Sequence, residues 1–80
     1  MATRLSPALA NVIRRTREAV GISQEELAHR AALHRTYVSL VERAKRNVSV
    51  DALDRLAGGL GVTASALVAE AERARSRTRR

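Results

Sequence analysis

Eighty residues, 45% of them hydrophobic and 29% charged, make one small domain whose core is limited enough that oligomerisation often adds to it. The absence of cysteine excludes a disulfide framework and a thiolate metal site, and no stretch has the apolar length of a membrane span or a signal-peptide core, so a soluble cytoplasmic protein without membrane contact is expected. The formal charge of +7 invites a polyanionic partner, but Arg73, Arg75, Arg77, Arg79 and Arg80 concentrate it at one end: residues 1–72 hold 10 basic and 8 acidic side chains, a net of +2.

Ser6 and Pro7 signal the first helix, serine as a cap and proline as a first helical residue. Leu9, Val12, Ile13, Thr16 and Val20 recur on one face of it, and Gly21 is expected to end it in the left-handed conformation. Ser23 and Glu26 then form a capping box, the serine oxygen accepting from the Glu26 N–H and the carboxylate reaching back to the Ser23 N–H. The second helix that follows carries Leu27, Ala28 and Ala31 on one face. After a break at Ala32 and Leu33, Val38 and Val41 resume helical spacing in a third helix that starts near Leu33 or His34.

Subtracting the apolar face of that third helix leaves His34, Arg35, Thr36, Ser39, Leu40 and Arg43 pointing outward. Two short helices joined by a tight turn, the second projecting hydrogen-bonding and cationic groups, suit the DNA major groove, although a solvated helix in an ordinary bundle has the same pattern. Lys45, Arg46 and Asn47 make a basic turn. Ser49 caps a fourth helix through Val50, Leu53, Leu56 and Ala57, which Gly58, Gly59 and Gly61 weaken and end. Thr63 caps a fifth, with Leu67, Val68 and Ala71 as its stripe, and no strand pattern appears.

These residues resemble the helix-turn-helix of the lambda-repressor-like, or XRE-type, family of bacterial and phage regulators. The likeness rests on Gln24, the pair Leu27 and Ala28, the apolar Leu33, Val38 and Val41, Glu42, the turn Lys45-Arg46-Asn47, the Ser-led fourth helix and Leu60-Gly61-Val62, and it covers about residues 8 to 70. Within the family, the segment from Arg35 to Asn47 and the short chain resemble the controller proteins of restriction-modification systems. The resemblance implies an all-α, five-helix, lambda-repressor-like DNA-binding domain over residues 1–72, followed by a basic tail over residues 73–80. It also implies an ion pair between Arg17 and Glu42. Two departures stand out, because the family usually carries glycine where this chain has Ala32 and Ala44; a left-handed alanine at either costs about 1–2 kcal/mol.

Sequence-specific binding needs phosphate contacts for position and base-edge contacts for information. Arg35 suits the bidentate contact to guanine O6 and N7, and Thr36 and Leu40 follow at spacings that meet neighbouring bases. By resemblance Arg35, Thr36 and Leu40 hold the base-reading positions, with Ser39 and His34 secondary, and Gln24 is the phosphate-binding glutamine. Arg43, Lys45, Arg46 and Asn47 are candidates for flanking phosphates or are solvated; Tyr37 is a half-buried helix residue or a DNA contact.

Leu60, Val62, Leu67 and Val68 are candidates for a homodimer surface and equally for the core. The arginine tail reads first as a disordered solubilising segment, next as a phosphate clamp, and last as a continuation of helix five. His29 and His34 lie on different helices, and neither a nucleophile motif nor a phosphate loop is present, so no enzyme, metal or cofactor is expected. The expected partners are a double-stranded operator, a second copy of the chain and RNA polymerase. The rival readings are a phage-type repressor, an antitoxin regulator and a helix-turn-helix used for protein interaction.

Overall fold

The computed structural model describes residues 5–78, with side chains from residue 7 to residue 77. The Ser6 side chain expected to cap the first helix, residues 1–4, and Arg79 and Arg80 lie outside what is described. Among the described residues the architecture is all-α: α1 Leu5–Val20, α2 Gln24–Ala31, α3 Arg35–Glu42, α4 Val50–Leu60 and α5 Ala64–Thr78. Pro7 falls inside the first turn of α1, where its missing N–H costs nothing because the first four helical N–H groups have no partner in the helix.

The core gathers one stripe from every helix. Leu9, Val12 and Ile13 of α1, Leu27, Ala28 and Ala31 of α2, Val38 and Val41 of α3, Leu53, Leu56 and Leu60 of α4, and Leu67 and Ala71 of α5 pack into a single cluster. The long helices α1 and α5 lie against each other, α2 packs on α3 and on α4, and α1 also supports α3. Ser49 and Thr63 cap α4 and α5 as their chemistry dictates, accepting from the N–H groups of Ala52 and Ala66 at 3.1 Å each.

Several helix ends close in one way. Gly21 donates to the Glu18 carbonyl while Ile22 donates to Arg17, and the same nested pair recurs at Ala32 and Leu33, at Ala44 and Lys45, and at Gly61 and Val62. The motif requires a left-handed residue. Gly21 and Gly61 supply it without strain, whereas Ala32 and Ala44 hold φ of 58° and 56°.

Packing corrects two expectations, those for Val50 and Val20, and favours one of the alternatives left open for Leu60, Leu67 and the arginine tail. Leu60 and Leu67, candidates equally for a dimer surface and for the core, are only 4% and 3% exposed and belong to the core cluster. Val50, read as part of the apolar face of α4, is 84% exposed, since it sits at the helix start ahead of the point where α4 meets the core. Val20 is likewise exposed at the end of α1. The residues from Arg73 to Thr78 are helical, a continuation of α5 favoured by the Arg73–Glu70 ion pair one turn apart. No single helix among the described residues is long and apolar enough to cross a membrane.

Candidate nucleic-acid interface

The local sequence of α2 and α3 fixes their mutual geometry. Ser23 accepts from the Glu26 N–H at 3.0 Å and opens α2, while the Glu26 carboxylate turns to Arg30 Nε at 2.9 Å and not back to the Ser23 N–H. Ala32 in the left-handed conformation reverses the chain. His34, extended at φ −74° and ψ 142°, is the N-cap of α3 but makes no side-chain capping bond.

Burial of Val38, Val41 and Glu42 on one side of α3 determines what the other side presents. Thr36, Ser39, Leu40 and Arg43 follow at i, i+3, i+4 and i+7, so they share one face. Thr36 and Arg43 are exposed and Ser39 and Leu40 are partly so. Arg35, at the first position of α3, and His34 just before it are also exposed, on the flank of that face. The five residues assigned to base reading are thus brought together at the outward and N-terminal side of one helix.

What holds α3 is a buried charge network. Glu42 is 7% exposed, and its carboxylate accepts from Arg17 Nε at 2.7 Å, Arg17 Nη2 at 3.1 Å and Gln24 Nε2 at 3.0 Å. The same Arg17 guanidinium donates through Nη1 to the Ile22 carbonyl at 2.9 Å, tying the α1–α2 turn into the network. The hydrogen bond that Arg17 donates to Glu42 raises the Arg17 pKa above its ordinary value against the opposing effect of burial. Gln24 therefore has a structural bond as well as its place at the start of α2. Nothing in the sequence announced that bond, because the partners lie 18 residues apart.

The loop after α3 carries the remaining cations. Arg43, Lys45 and Arg46 are exposed, and Ala44 bends the backbone between them. Tyr37 is half-buried; its hydroxyl donates to the Asn47 carbonyl at 3.4 Å, and the Arg46 guanidinium sits 5.8 Å from its ring centroid. Tyr37 thus braces the basic loop against α3, a role that composition alone did not reveal. Among the described residues no group of three or more His, Asp or Glu side chains comes together to hold a metal ion.

The helix-turn-helix family model matches residues 13–67, the span from the middle of α1 to α5 that encloses this whole assembly. The chain belongs to the helix-turn-helix family of the lambda-repressor-like type. It is 42% identical over 57 residues to the control protein C.MunI of a Mycoplasma species, a stretch covering 71% of this chain and 77% of that one. It is also 42% identical over 60 residues to the control protein C.SmaI of Serratia marcescens, covering 75% and 71% of the two chains. The solved restriction-modification controller protein C.AhdI from Aeromonas hydrophila superposes with a TM-score of 0.74 at 39% identity, over 76% of this chain and 92% of that one. The protein is a helix-turn-helix DNA-binding regulator related to restriction-modification controller proteins.

Proposed function

We propose that the chain works in the cytoplasm, at the nucleoid, as a homodimer that occupies a pseudo-palindromic operator with half-sites about 34 Å apart. The observation that carries this reading is the outward face of α3, where Arg35, Thr36, Ser39 and Leu40 stand together with His34 on a helix locked by Glu42. Arg35 pairs with a guanine edge, Thr36 and Leu40 meet the adjoining bases, and Ser39 and His34 contribute at the margin. Gln24 at the start of α2, and Arg43, Lys45, Arg46 and Asn47 beyond α3, hold phosphates on either side, with Tyr37 positioned to touch the same backbone.

One α3 spans too few base pairs for useful specificity in a genome, which is why pairing is part of the proposal. Val62, 37% exposed, and the partly buried Val68 remain for the dimer face once Leu60 and Leu67 are counted in the core. Regulation is then by occupancy: protein concentration sets dimer formation, and the bound dimer blocks or recruits RNA polymerase. The kinship with controller proteins points to the chain's own promoter and that of a restriction endonuclease gene as targets.

Selection from a random duplex pool at physiological salt tests the reading, and an enriched inverted repeat is the expected result. Arg35→Ala should then cost about 1–3 kcal/mol and relax the preference at one guanine. The partly exposed Leu40 favours a second reading, a helix-turn-helix used for protein interaction. That reading wins if the pool yields no enriched sequence and Arg35→Ala leaves DNA affinity untouched.

A further inference from the structure

A groove of about 460 Å³ lies along the α1–α5 seam. Its floor is formed by Val12, Thr16 and Ala19 of α1 and Ala66 and Leu67 of α5, with Val62 at one end. Small side chains at Ala19 and Ala66 leave the space that larger apolar groups of another molecule would fill. The rim is charged, and arginines flank it. Arg15 of α1 and Glu70 of α5 line it, Glu70 is paired with Arg73, and Arg73 and Arg77 extend the stripe of Ala66 and Glu70 along α5 at i+7 and i+11. Glu70 feels all three arginines: its carboxyl is held below the usual range first by the hydrogen bond and charge of Arg73, then by Arg77 and Arg15. Three cations therefore surround one acid.

The groove is on the wrong side for the operator. At about 100° per residue its α1 face is turned roughly 150° from Arg17, the residue that grips α3 through Glu42. It does not suit a second copy either, because a two-fold contact would bring Arg15, Arg73 and Arg77 of both copies into one seam, six cations against two Glu70 carboxylates. Val68, about 160° round α5 from Glu70, stays available for that pairing, and of the two valines offered for the dimer face only Val62 borders the groove. A lipid surface needs protruding aromatic or leucine anchors, whereas among the described residues the large exposed apolar ones are Val20, Val50 and Val62.

A concave apolar floor between helices, rimmed by arginine, matches an amphipathic helix with an apolar stripe and acidic flanks. We propose that the α1–α5 groove docks such an acidic amphipathic helix from another protein while α3 remains free for DNA. The regulator then has two independent faces, one for the operator and one for a protein partner.

Two helix-stapled peptides of about 16 residues, with the same leucine stripe but glutamates or lysines on its flanks, provide the test. Titrated into the 15N-labelled full chain, the glutamate peptide should shift the amides of Val12, Thr16, Ala66 and Leu67 and leave those of α3 in place. The lysine peptide should bind at least tenfold more weakly. Arg15→Glu combined with Arg73→Glu, both at exposed positions, should reverse that order and leave duplex binding unchanged. The proposal is overturned if the glutamate peptide produces no shifts at the seam, if both peptides bind equally, or if random duplex DNA or phosphatidylglycerol vesicles shift the same amides more strongly than the peptide does.

Discussion

Alanine at two helix ends shows how a single side chain sets local cost. Ala32 and Ala44 occupy the left-handed position of the closing motif that Gly21 and Gly61 fill elsewhere, and they bracket α3 at both ends. Each is strained by about 1–2 kcal/mol. Ala32→Gly and Ala44→Gly should each raise stability by about 1 kcal/mol in urea unfolding, a gain of roughly 4–8 °C in Tm for a chain this size. The neighbouring pair in α4 predicts opposite signs. A Cβ on Gly58 meets nothing within 4 Å, so Gly58→Ala should stabilise by about 0.5–1 kcal/mol. A Cβ on Gly59 would stand 3.0 Å from Leu27 Cδ1 and 3.2 Å from Arg30 Cβ, and Arg30 also donates to the Gly59 carbonyl. Gly59→Ala should therefore destabilise, by about 1–3 kcal/mol, as α2 and α4 are pushed apart. The left-handed alanines were readable from the sequence as departures from a pattern, and the caps at Ser23, Ser49 and Thr63 because capping is local chemistry. The role of Gly59 was not, since its neighbours come from a helix about 30 residues earlier.

The placement of α3 against α1 depends on one buried pair more than on its own eight residues. Arg17→Met would leave the Glu42 carboxylate buried with Gln24 as its remaining partner, at a cost of about 3–5 kcal/mol. That is comparable to the stability expected of so small a domain. The double variant Arg17→Met with Glu42→Leu should recover most of the loss in urea melts, because the stranded charge is gone, while DNA affinity stays low because α3 is no longer oriented. Helix α5 has a weaker, exposed counterpart in Glu70 and Arg73. The Glu70 carboxyl lies below its ordinary value, so its contribution is present above the unfolded carboxylate range and is lost as pH falls through the lower folded value. Cα shifts of residues 70–77 should move towards coil on acidification below about pH 4, and Glu70→Gln should remove that dependence. Apolar periodicity identified all five helices. It could not say whether Leu60 and Leu67 face the core or a second chain, because both destinations select the same side chains, nor that Val50 would extend beyond the packed layer.

Charge placement, more than total charge, distinguishes how this molecule meets DNA. Of the +7, the last eight residues supply +5, and the described part of that segment continues α5, the helix that packs against α1. The basic loop after α3 is short, but its cations stand beside the outward face and are braced by Tyr37. Counterion release makes the two groups separable, because each phosphate contact adds about one unit to the slope of log affinity against log salt. Lys45→Ala and Arg46→Ala should each weaken binding across all duplex sequences and lower that slope by about one, with the Arg35→Ala loss of sequence preference absent. Arg73→Ala and Arg77→Ala should leave both affinity and slope unchanged on a duplex of operator length. Equal slope losses at Arg73 and Lys45 would mean that the paired protein brings α5 onto the DNA backbone, and the division of the surface into an operator face and an arginine-rimmed groove would then fail.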